Sequence, residues 1–67
     1  MKNHLKVERA KVNITQGELA DRVKVSRQTI NSIEIGKFIP STALALKIAV
    51  VFNTTVEQIF VLEEKDW

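Results

Sequence analysis

The chain has 67 residues, which suffices for one small domain, and it contains no cysteine, so disulfide bonds and thiolate metal sites are excluded. A domain of this size buries only about 60% of the surface that its unfolded chain exposes, so dense packing of helices has to stabilise it. The net charge is +2, but residues 1–47 carry nine basic and four acidic side chains (+5), and residues 48–67 carry one basic and four acidic ones (−3). This asymmetry is common on ordinary solvated surface, and it indicates a basic face directed at a polyanion only if a motif accompanies it.

Composition alone argues against several functional classes. His4 is the single histidine, too few for a zinc site, and it fits a surface position better than a catalytic one. Because no nucleophile–base pair, metal cluster or glycine-rich phosphate loop is present, we expect no enzymatic activity, no cofactor, no metal and no small-molecule ligand. The charged N-terminus lacks the apolar core of a secretory signal, and the most apolar run, residues 43–52, is too short to span a bilayer. We therefore expect a cytoplasmic protein without membrane contact.

Helix signals dominate the interior of the chain. Apolar periodicity and the scarcity of glycine and proline predict five helices, at about residues 3–11, 16–23, 27–35, 42–52 and 56–60. The second to fifth helices each follow a Ser or Thr that can cap the helix: Thr15, Ser26, Ser41 and Thr55. Glu18 and Gln58 lie three residues after Thr15 and Thr55, which is the spacing of a capping box. Gly36 and Asn53 are suited to the left-handed conformation that ends a helix.

The fourth helix is apolar on nearly every side. A helix of this kind favours burial on most sides, so we expect it to form the centre of the core, together with Ile59 of the fifth helix. The end segments 1–3 and 60–62 could pair as a short β-ribbon, since the termini of compact domains often lie close together. The sequence thus predicts an all-α fold of five helices, with at most a small terminal ribbon.

The second and third helices have the parts of a helix-turn-helix, over residues 16–35. Ala20 is a small residue where the two helix backbones would approach, and Val25 is an apolar residue in the turn. Inward positions of the two helices are apolar: Leu19, Val23, Ile30 and Ile33. The outer face of the third helix carries hydrogen-bonding side chains at i, i+1, i+4 and i+5: Arg27, Gln28, Asn31 and Ser32.

This outer face matches the chemistry of base edges in the major groove of DNA. Arg can bond guanine O6 and N7 in bidentate fashion, and Gln and Asn can bond adenine N6 and N7. An ordinary solvated helix face would be richer in Lys and Glu, whereas this one has no acidic side chain. Base readout by these four residues is therefore the favoured interpretation.

The segment TQGELADRVKVSRQTINSIEIGKFIPS, residues 15–41, resembles the Xre/Cro/C1-type family of helix-turn-helix regulators. Its opening TQGELA, its run VSRQTI and its close IEIGK occur together at the family's spacing, and the likeness extends over residues 5–60. The resemblance implies a five-helix, lambda-repressor-like DNA-binding domain whose partner is double-stranded DNA. It also implies that the chain is a minimal member with little beyond that domain.

The resemblance implies further roles outside the reading face. Gln16 matches a side chain that bonds a DNA phosphate and holds the recognition helix in place, and Lys37 matches a position that contacts the DNA backbone. Ser26 matches a position near the groove floor, and Ser41 completes the expected backbone contacts. Arg9 matches the partner of Glu34 in a partly buried ion pair, although it could instead, or in addition, contact a phosphate.

Two positions depart from the family's pattern. Lys24 occupies a turn position that is often glycine because the backbone there is left-handed, and a lysine costs roughly 1 kcal/mol in that conformation. Glu8 occupies a position of the first helix that is often apolar, so a different rotation of this helix, in which Val7 fills the gap, is the alternative.

One short recognition helix contacts few base pairs, so modules of this type bind two half-sites as two-fold dimers. The candidate interface of a homodimer is the fifth helix with the tail, residues 55–67, through an apolar set of side chains: Val56, Phe60, Leu62 and Trp67. The alternative is that Val56 and Phe60 only pack against the fourth helix, and that Trp67 is disordered.

Two functions remain in competition. The first is a sequence-specific transcriptional regulator, most simply a repressor that occupies a palindromic operator. The second is a protein-interaction module, such as the antitoxin of a toxin–antitoxin pair, in which DNA binding is secondary. The sequence offers no separate toxin-binding arm, so the second ranks lower.

Overall fold

The computed structural model describes all residues, 1–67, as five α-helices, a two-stranded antiparallel sheet and a final 3₁₀ helix at Glu64–Asp66. The sheet pairs β1 with β2, in the register Lys2↔Val61 and Asn3↔Phe60. The elements follow in the order β1 Lys2–Asn3, α1 Leu5–Val12, α2 Gln16–Val23, α3 Arg27–Glu34, α4 Thr42–Val51, α5 Val56–Ile59 and β2 Phe60–Val61. The all-α class, the five helices and the terminal ribbon are therefore confirmed.

Helices α2 to α5 begin where the sequence places their caps. The Thr15 hydroxyl accepts a hydrogen bond from the Glu18 amide at 3.0 Å, and the Glu18 carboxylate accepts one from the Thr15 amide at 2.9 Å. Each cap satisfies a backbone donor that the first turn of a helix leaves unpaired. The other three capping hydroxyls, at 3.1 to 3.3 Å from the amide three residues on, are those of Ser26, Ser41 and Thr55. At Thr55 only this half of the expected capping box is present.

Left-handed residues end the helices or follow them. Lys24 ends α2 at φ 62°, and Asn13 ends α1 at φ 57°. Gly36 (φ 82°) and Asn53 (φ 52°) each follow a helix by one further residue. The predicted conformations of Lys24, Gly36 and Asn53 are confirmed, and that of Asn13 was not foreseen.

The core lies where α2 packs against α3 and α4. Its members are the buried apolar residues Leu5, Leu19, Ala20, Val23, Ile30, Ile33, Leu44, Ile48, Ala49, Phe52, Ile59 and Phe60. The inward positions predicted for α2 and α3, and Ile59 of α5, are all among them. Val25 in the turn is half-buried and packs against this core, as expected.

The expected start of the first helix was wrong by two residues. Asn3 belongs to β1, and its side-chain oxygen accepts a hydrogen bond from the Leu5 amide at 3.2 Å, so the helix begins at Leu5. The rotation of α1 leaves Val7 and Val12 exposed, so Val7 does not fill a gap in the core. Pairing of the termini, a long-range contact, decides this boundary.

Helix α4 is open to solvent on one face, contrary to the expectation of burial on most sides. Leu44, Ile48 and Ala49 point into the core, whereas Leu46 and Val50 are 55% and 79% exposed. Because so small a chain has only four other α-helices, they do not cover every side of α4. None of the helices is long and apolar enough to cross a membrane.

The expectation that Phe60 belongs to the exposed apolar set of a dimer interface was wrong. Its side chain is only 8% exposed and belongs to the core of the single chain, because β1 pairs with β2 at this residue. Val56 is half-buried against the same core. Leu62 and Trp67 are exposed, at 59% and 90%.

Candidate nucleic-acid interface

The turn between α2 and α3 spans residues 24–26 and brings the two helices into direct contact. The Val25 amide donates to the Ala20 carbonyl at 3.0 Å, which closes the turn around the left-handed Lys24. The small side chain of Ala20 is buried where α2 meets its neighbours. This geometry defines a helix-turn-helix over residues 16–35.

Helix α3 has an apolar inner face and a polar outer face. Ile30 and Ile33 are fully buried. The four side chains predicted to contact bases lie on the other side, three of them exposed and the last half-buried: Arg27, Gln28, Asn31 and Ser32. The structure therefore places these four on one accessible helix face, as the spacing indicated.

Three shallow surface grooves follow one another across α3 and the start of α2. The first is lined by Ser26, Gln28, Thr29, Ser32, Lys37 and Phe38, and the second by Gln16, Arg27, Gln28 and Asn31. The third is lined by Arg9, Asn13, Ile14, Thr15, Gln16, Gly17 and Arg27. Consecutive grooves share residues, so we treat them as one surface, the groove face. Its lining includes three basic side chains and no acidic one.

Gln16 connects α2 to the recognition helix α3. Its side-chain amide Nε2 donates to Asn31 Oδ1 at 3.2 Å and to Glu34 Oε1 at 3.1 Å. The structure thus shows Gln16 holding α3 in place. Both side-chain N–H groups therefore point to α3, and the phosphate contact expected of this side chain stays a prediction.

Unpaired donors at the start of α2 are two of its backbone amides. The N–H groups of Gln16 and Gly17 make no hydrogen bond within the chain, as is usual for the first turn of a helix. Both residues line the groove face beside Arg27. A helix N-terminus with free amides favours an anionic group such as a phosphate.

Arg9 and Glu34 form the ion pair that the resemblance implied. Arg9 Nε lies 2.6 Å from Glu34 Oε2, and Nη2 lies 3.0 Å from Oε1, which is a bidentate geometry. The two side chains are only 15% and 6% exposed. Arg9 also donates from Nη1 to the Ile14 carbonyl at 3.1 Å. Three of its five N–H groups are therefore used inside the protein, and two remain free for a phosphate.

The environment of Glu34 holds its carboxyl group ionised. Burial of this carboxyl acts to raise its pKa, but hydrogen bonds from Arg9 and Gln16 outweigh burial and leave the pKa below its usual value. Correspondingly, the hydrogen bond to Glu34 raises the pKa of the Arg9 guanidinium. The pair fixes α1 against α3 beside the groove face.

The loop after α3 is folded back onto the recognition helix. With Gly36 in a left-handed conformation, the amides of Lys37 and Phe38 both donate to the Ser32 carbonyl, at 2.9 and 3.2 Å. Lys37 is exposed and lines the groove face, which suits its predicted contact with the DNA backbone. Ser41 caps α4 and does not line any of the three grooves.

Phe38 also lines the groove face, and the sequence analysis missed it. The only signal available in sequence was an aromatic residue directly after Lys37, in a loop whose path depends on hydrogen bonds to Ser32. The residues proposed for a dimer interface lie apart from this surface, since none of them lines the grooves.

Comparison with known proteins agrees with this geometry. Residues 5–59 match the family model described as Helix-turn-helix. The chain is 52% identical over 66 residues to an uncharacterized HTH-type transcriptional regulator of Archaeoglobus fulgidus, a match that covers 98% of this chain and 93% of that protein. A similarly named protein of Methanocaldococcus jannaschii is also 52% identical, over 98% of this chain and all of its own length. The uncharacterized HTH-type transcriptional regulator YgzD of Bacillus subtilis is 44% identical, again over 98% of this chain and all of its own length.

Fold, site and sequence similarity together assign the chain to a class. It belongs to the helix-turn-helix family of DNA-binding regulators of the Xre/Cro/C1 type.

Proposed function

We propose that the chain is a sequence-specific transcriptional regulator that inserts α3 into the major groove of duplex DNA. The observation that supports this best is the groove face, a continuous polar and basic surface along the exposed side of a rigidly held helix. The major groove, about 12 Å wide, admits one α-helix. A regulator of this kind acts on chromosomal DNA, so the proposal places it in the cytoplasm.

Base readout is assigned to the outer face of α3, and two of its amides differ in what they can do. Gln28 makes no side-chain hydrogen bond within the protein, so its amide is free for a bidentate contact with adenine N6 and N7. Asn31 already accepts from Gln16 through Oδ1, so its free Nδ2 group is a donor to an acceptor on a base edge. Arg27 at the start of α3 is suited to guanine, and Ser32 is a shorter hydrogen-bonding group.

Backbone contacts are assigned to the two ends of the groove face. At one end lie the free amides at the start of α2, together with the unused N–H groups of Arg9. At the other end lies Lys37, which lines the same groove as Ser26. Phosphate contacts of this kind fix orientation, and they make the affinity fall as salt rises.

The proposal includes a homodimer on a palindromic operator, and repression by occlusion of a promoter. A single α3 contacts only a few base pairs, and two-fold pairing places two such helices about 34 Å apart on one side of the duplex. With Phe60 in the core, the interface proposed for α5 and the tail consists of Val56, Leu62 and Trp67.

A protein-interaction role, as in an antitoxin, is the second candidate. The exposed apolar pair Leu46 and Val50 on α4 favours it, because side chains of this kind in a row often contact another protein. This candidate would be supported by a neighbouring gene that encodes a small toxin, if that toxin co-purifies with this chain.

Selection of binding sites from random duplex DNA, at a stated salt concentration, tests the main proposal. The expected result is one enriched consensus made of two inverted half-sites. Enrichment of a single half-site would contradict the dimer alone, and absence of any enrichment would contradict sequence-specific binding.

A further inference from the structure

Phe38 is an aromatic side chain whose position the packing of the domain does not explain. It is 47% exposed, and it belongs neither to the buried core nor to the half-buried apolar residues that pack against the core. It is the only apolar residue among the six that line the first groove of the groove face. A large apolar side chain on such a surface favours a contact with a ligand.

The backbone holds Phe38 in a fixed place beside α3. Its own amide and that of Lys37 share the Ser32 carbonyl as acceptor, at 3.2 and 2.9 Å. On the far side of the loop, Pro40 is buried and restricts the chain before α4 begins. The loop therefore holds the backbone of Phe38 close to Ser32 on the recognition helix.

The groove joins this ring to hydrogen-bonding groups. Gln28 and Ser32, both assigned to base readout, line the groove together with Phe38, and Lys37 supplies a positive charge at its side. A ligand that fits has an apolar group next to a hydrogen-bonding edge and lies near a phosphate. In the major groove, thymine has this combination, because its C5-methyl group lies beside the O4 acceptor.

We infer that Phe38 is a specificity-determining residue that contacts the C5-methyl group of a thymine in the base pair next to the one contacted by Gln28. This rests on the proposed function, because it requires α3 to lie in the major groove. Apolar contact with the thymine methyl group is one of the established means of base readout, and Phe is among the side chains that provide it.

The test replaces single thymines of the selected duplex with deoxyuridine, which removes only the methyl group. For the wild-type chain, one position in each half-site should lose affinity by about fourfold, the value of burying one methyl group. Phe38→Ala should bind the thymine duplex about as weakly as the wild type binds the deoxyuridine duplex. It should also be insensitive to deoxyuridine at that position.

Ile39→Ala is the matched control. Ile39 is the next residue of the same loop and is 61% exposed, but it does not line the groove. This variant should keep the wild-type sensitivity to deoxyuridine. Circular dichroism melting of both variants checks that each is folded at the temperature of the binding assay.

Three outcomes separate the possibilities. If the wild type selects no sequence, the proposed function itself fails. If it selects a sequence but Phe38→Ala keeps the sensitivity to deoxyuridine, the function stands and the role of Phe38 is wrong. If Phe38→Ala weakens binding to all duplexes alike, the ring contacts the sugar–phosphate backbone instead of a base, which also overturns the inference.

Discussion

At the scale of single residues, Lys24 is in a conformation that costs free energy. Its backbone is left-handed, at φ 62°, where a side chain other than glycine is strained by roughly 1 kcal/mol. The turn nevertheless keeps the Val25 amide bonded to Ala20, so packing of the two helices outweighs the strain.

We predict that Lys24→Gly stabilises the fold by up to about 1 kcal/mol or leaves it unchanged, because relief of strain exceeds or equals the greater entropy of an unfolded glycine. Urea unfolding measures the change. Arg22→Gly, inside α2, is the control and should lose about 1 kcal/mol. A clear loss of stability in Lys24→Gly would show that the left-handed turn is not as described.

Glu34 leads to a prediction about pH. Its pKa is lowered in the folded state, so its contribution to stability is present above the pKa of an unfolded Glu, about 4.3, and is lost as the pH falls through the folded pKa. We expect Glu34→Gln to reduce the free energy of unfolding at pH 7 by about 1–3 kcal/mol, because Arg9 loses its bidentate partner.

The same variant should lose less stability than the wild type as the pH is lowered from about 5 to 3, since it lacks this carboxyl group. Denaturant unfolding at a series of pH values measures both slopes. Equal slopes for the two chains would mean that Glu34 is not held ionised by Arg9 and Gln16.

Sequence reasoning was most successful for residues whose role is local. The caps at Thr15, Ser26 and Ser41, and the left-handed Lys24 and Gly36, depend on neighbours within a few positions. Contacts between distant segments decided the misses. At the residue scale these are Phe60, which is core because the termini pair, and Phe38, which reaches the groove face through a folded-back loop.

At the scale of secondary-structure elements, the pairing of α2 and α3 was predictable because it combines apolar spacing with two capping signals. The boundary of α1 was not, because β1 takes up Asn3. Burial of α4 on one face only was also missed, since its sequence is apolar on the exposed side as well as on the buried one. Hydrophobic pattern alone does not show which face of such a helix has a neighbour.

Asn3 joins the terminal ribbon to two helices at once. Its side chain accepts from the Leu5 amide at 3.2 Å and donates to the Ile33 carbonyl at 2.9 Å, near the end of the recognition helix. We predict that Asn3→Ala lowers the free energy of unfolding by about 2 kcal/mol, about 1 for each hydrogen bond. Lys2→Ala, in the same strand but exposed, should change it by less than about 0.5 kcal/mol. Equal effects of the two variants would contradict a linking role for Asn3.

At the scale of the whole molecule, the proposed dimer can be tested without DNA. We predict that Leu62→Glu converts a dimer into a monomer in sedimentation equilibrium, because it places a charge in the proposed apolar interface. Val7→Glu alters a similarly exposed apolar residue on α1 and should leave the dimer intact. If Leu62→Glu remains dimeric and Leu46→Glu does not, the interface is the open face of α4 instead.

The distribution of charge also belongs to this scale. The basic excess of residues 1–47 includes the three cations of the groove face, whereas the acidic tail lies among residues that do not line it. This arrangement suits a polyanion on one side of the molecule. In the proposed complex it supplies affinity for any duplex, while discrimination between sequences falls to the outer face of α3 and to Phe38.

The central claim, that the outer face of α3 contacts bases and that Lys37 contacts the DNA backbone, is tested most directly by Gln28→Ala and Lys37→Ala. The measurement is the ratio of affinities for the selected duplex and for a scrambled one, at several salt concentrations. Gln28→Ala should reduce this ratio by an amount equivalent to roughly 1–3 kcal/mol of discrimination, through one base pair. Lys37→Ala should weaken binding to both duplexes alike and flatten the salt dependence by about one unit of slope. If Gln28→Ala instead weakens both duplexes equally and the ratio is unchanged, the assignment of base readout to this face of α3 is wrong.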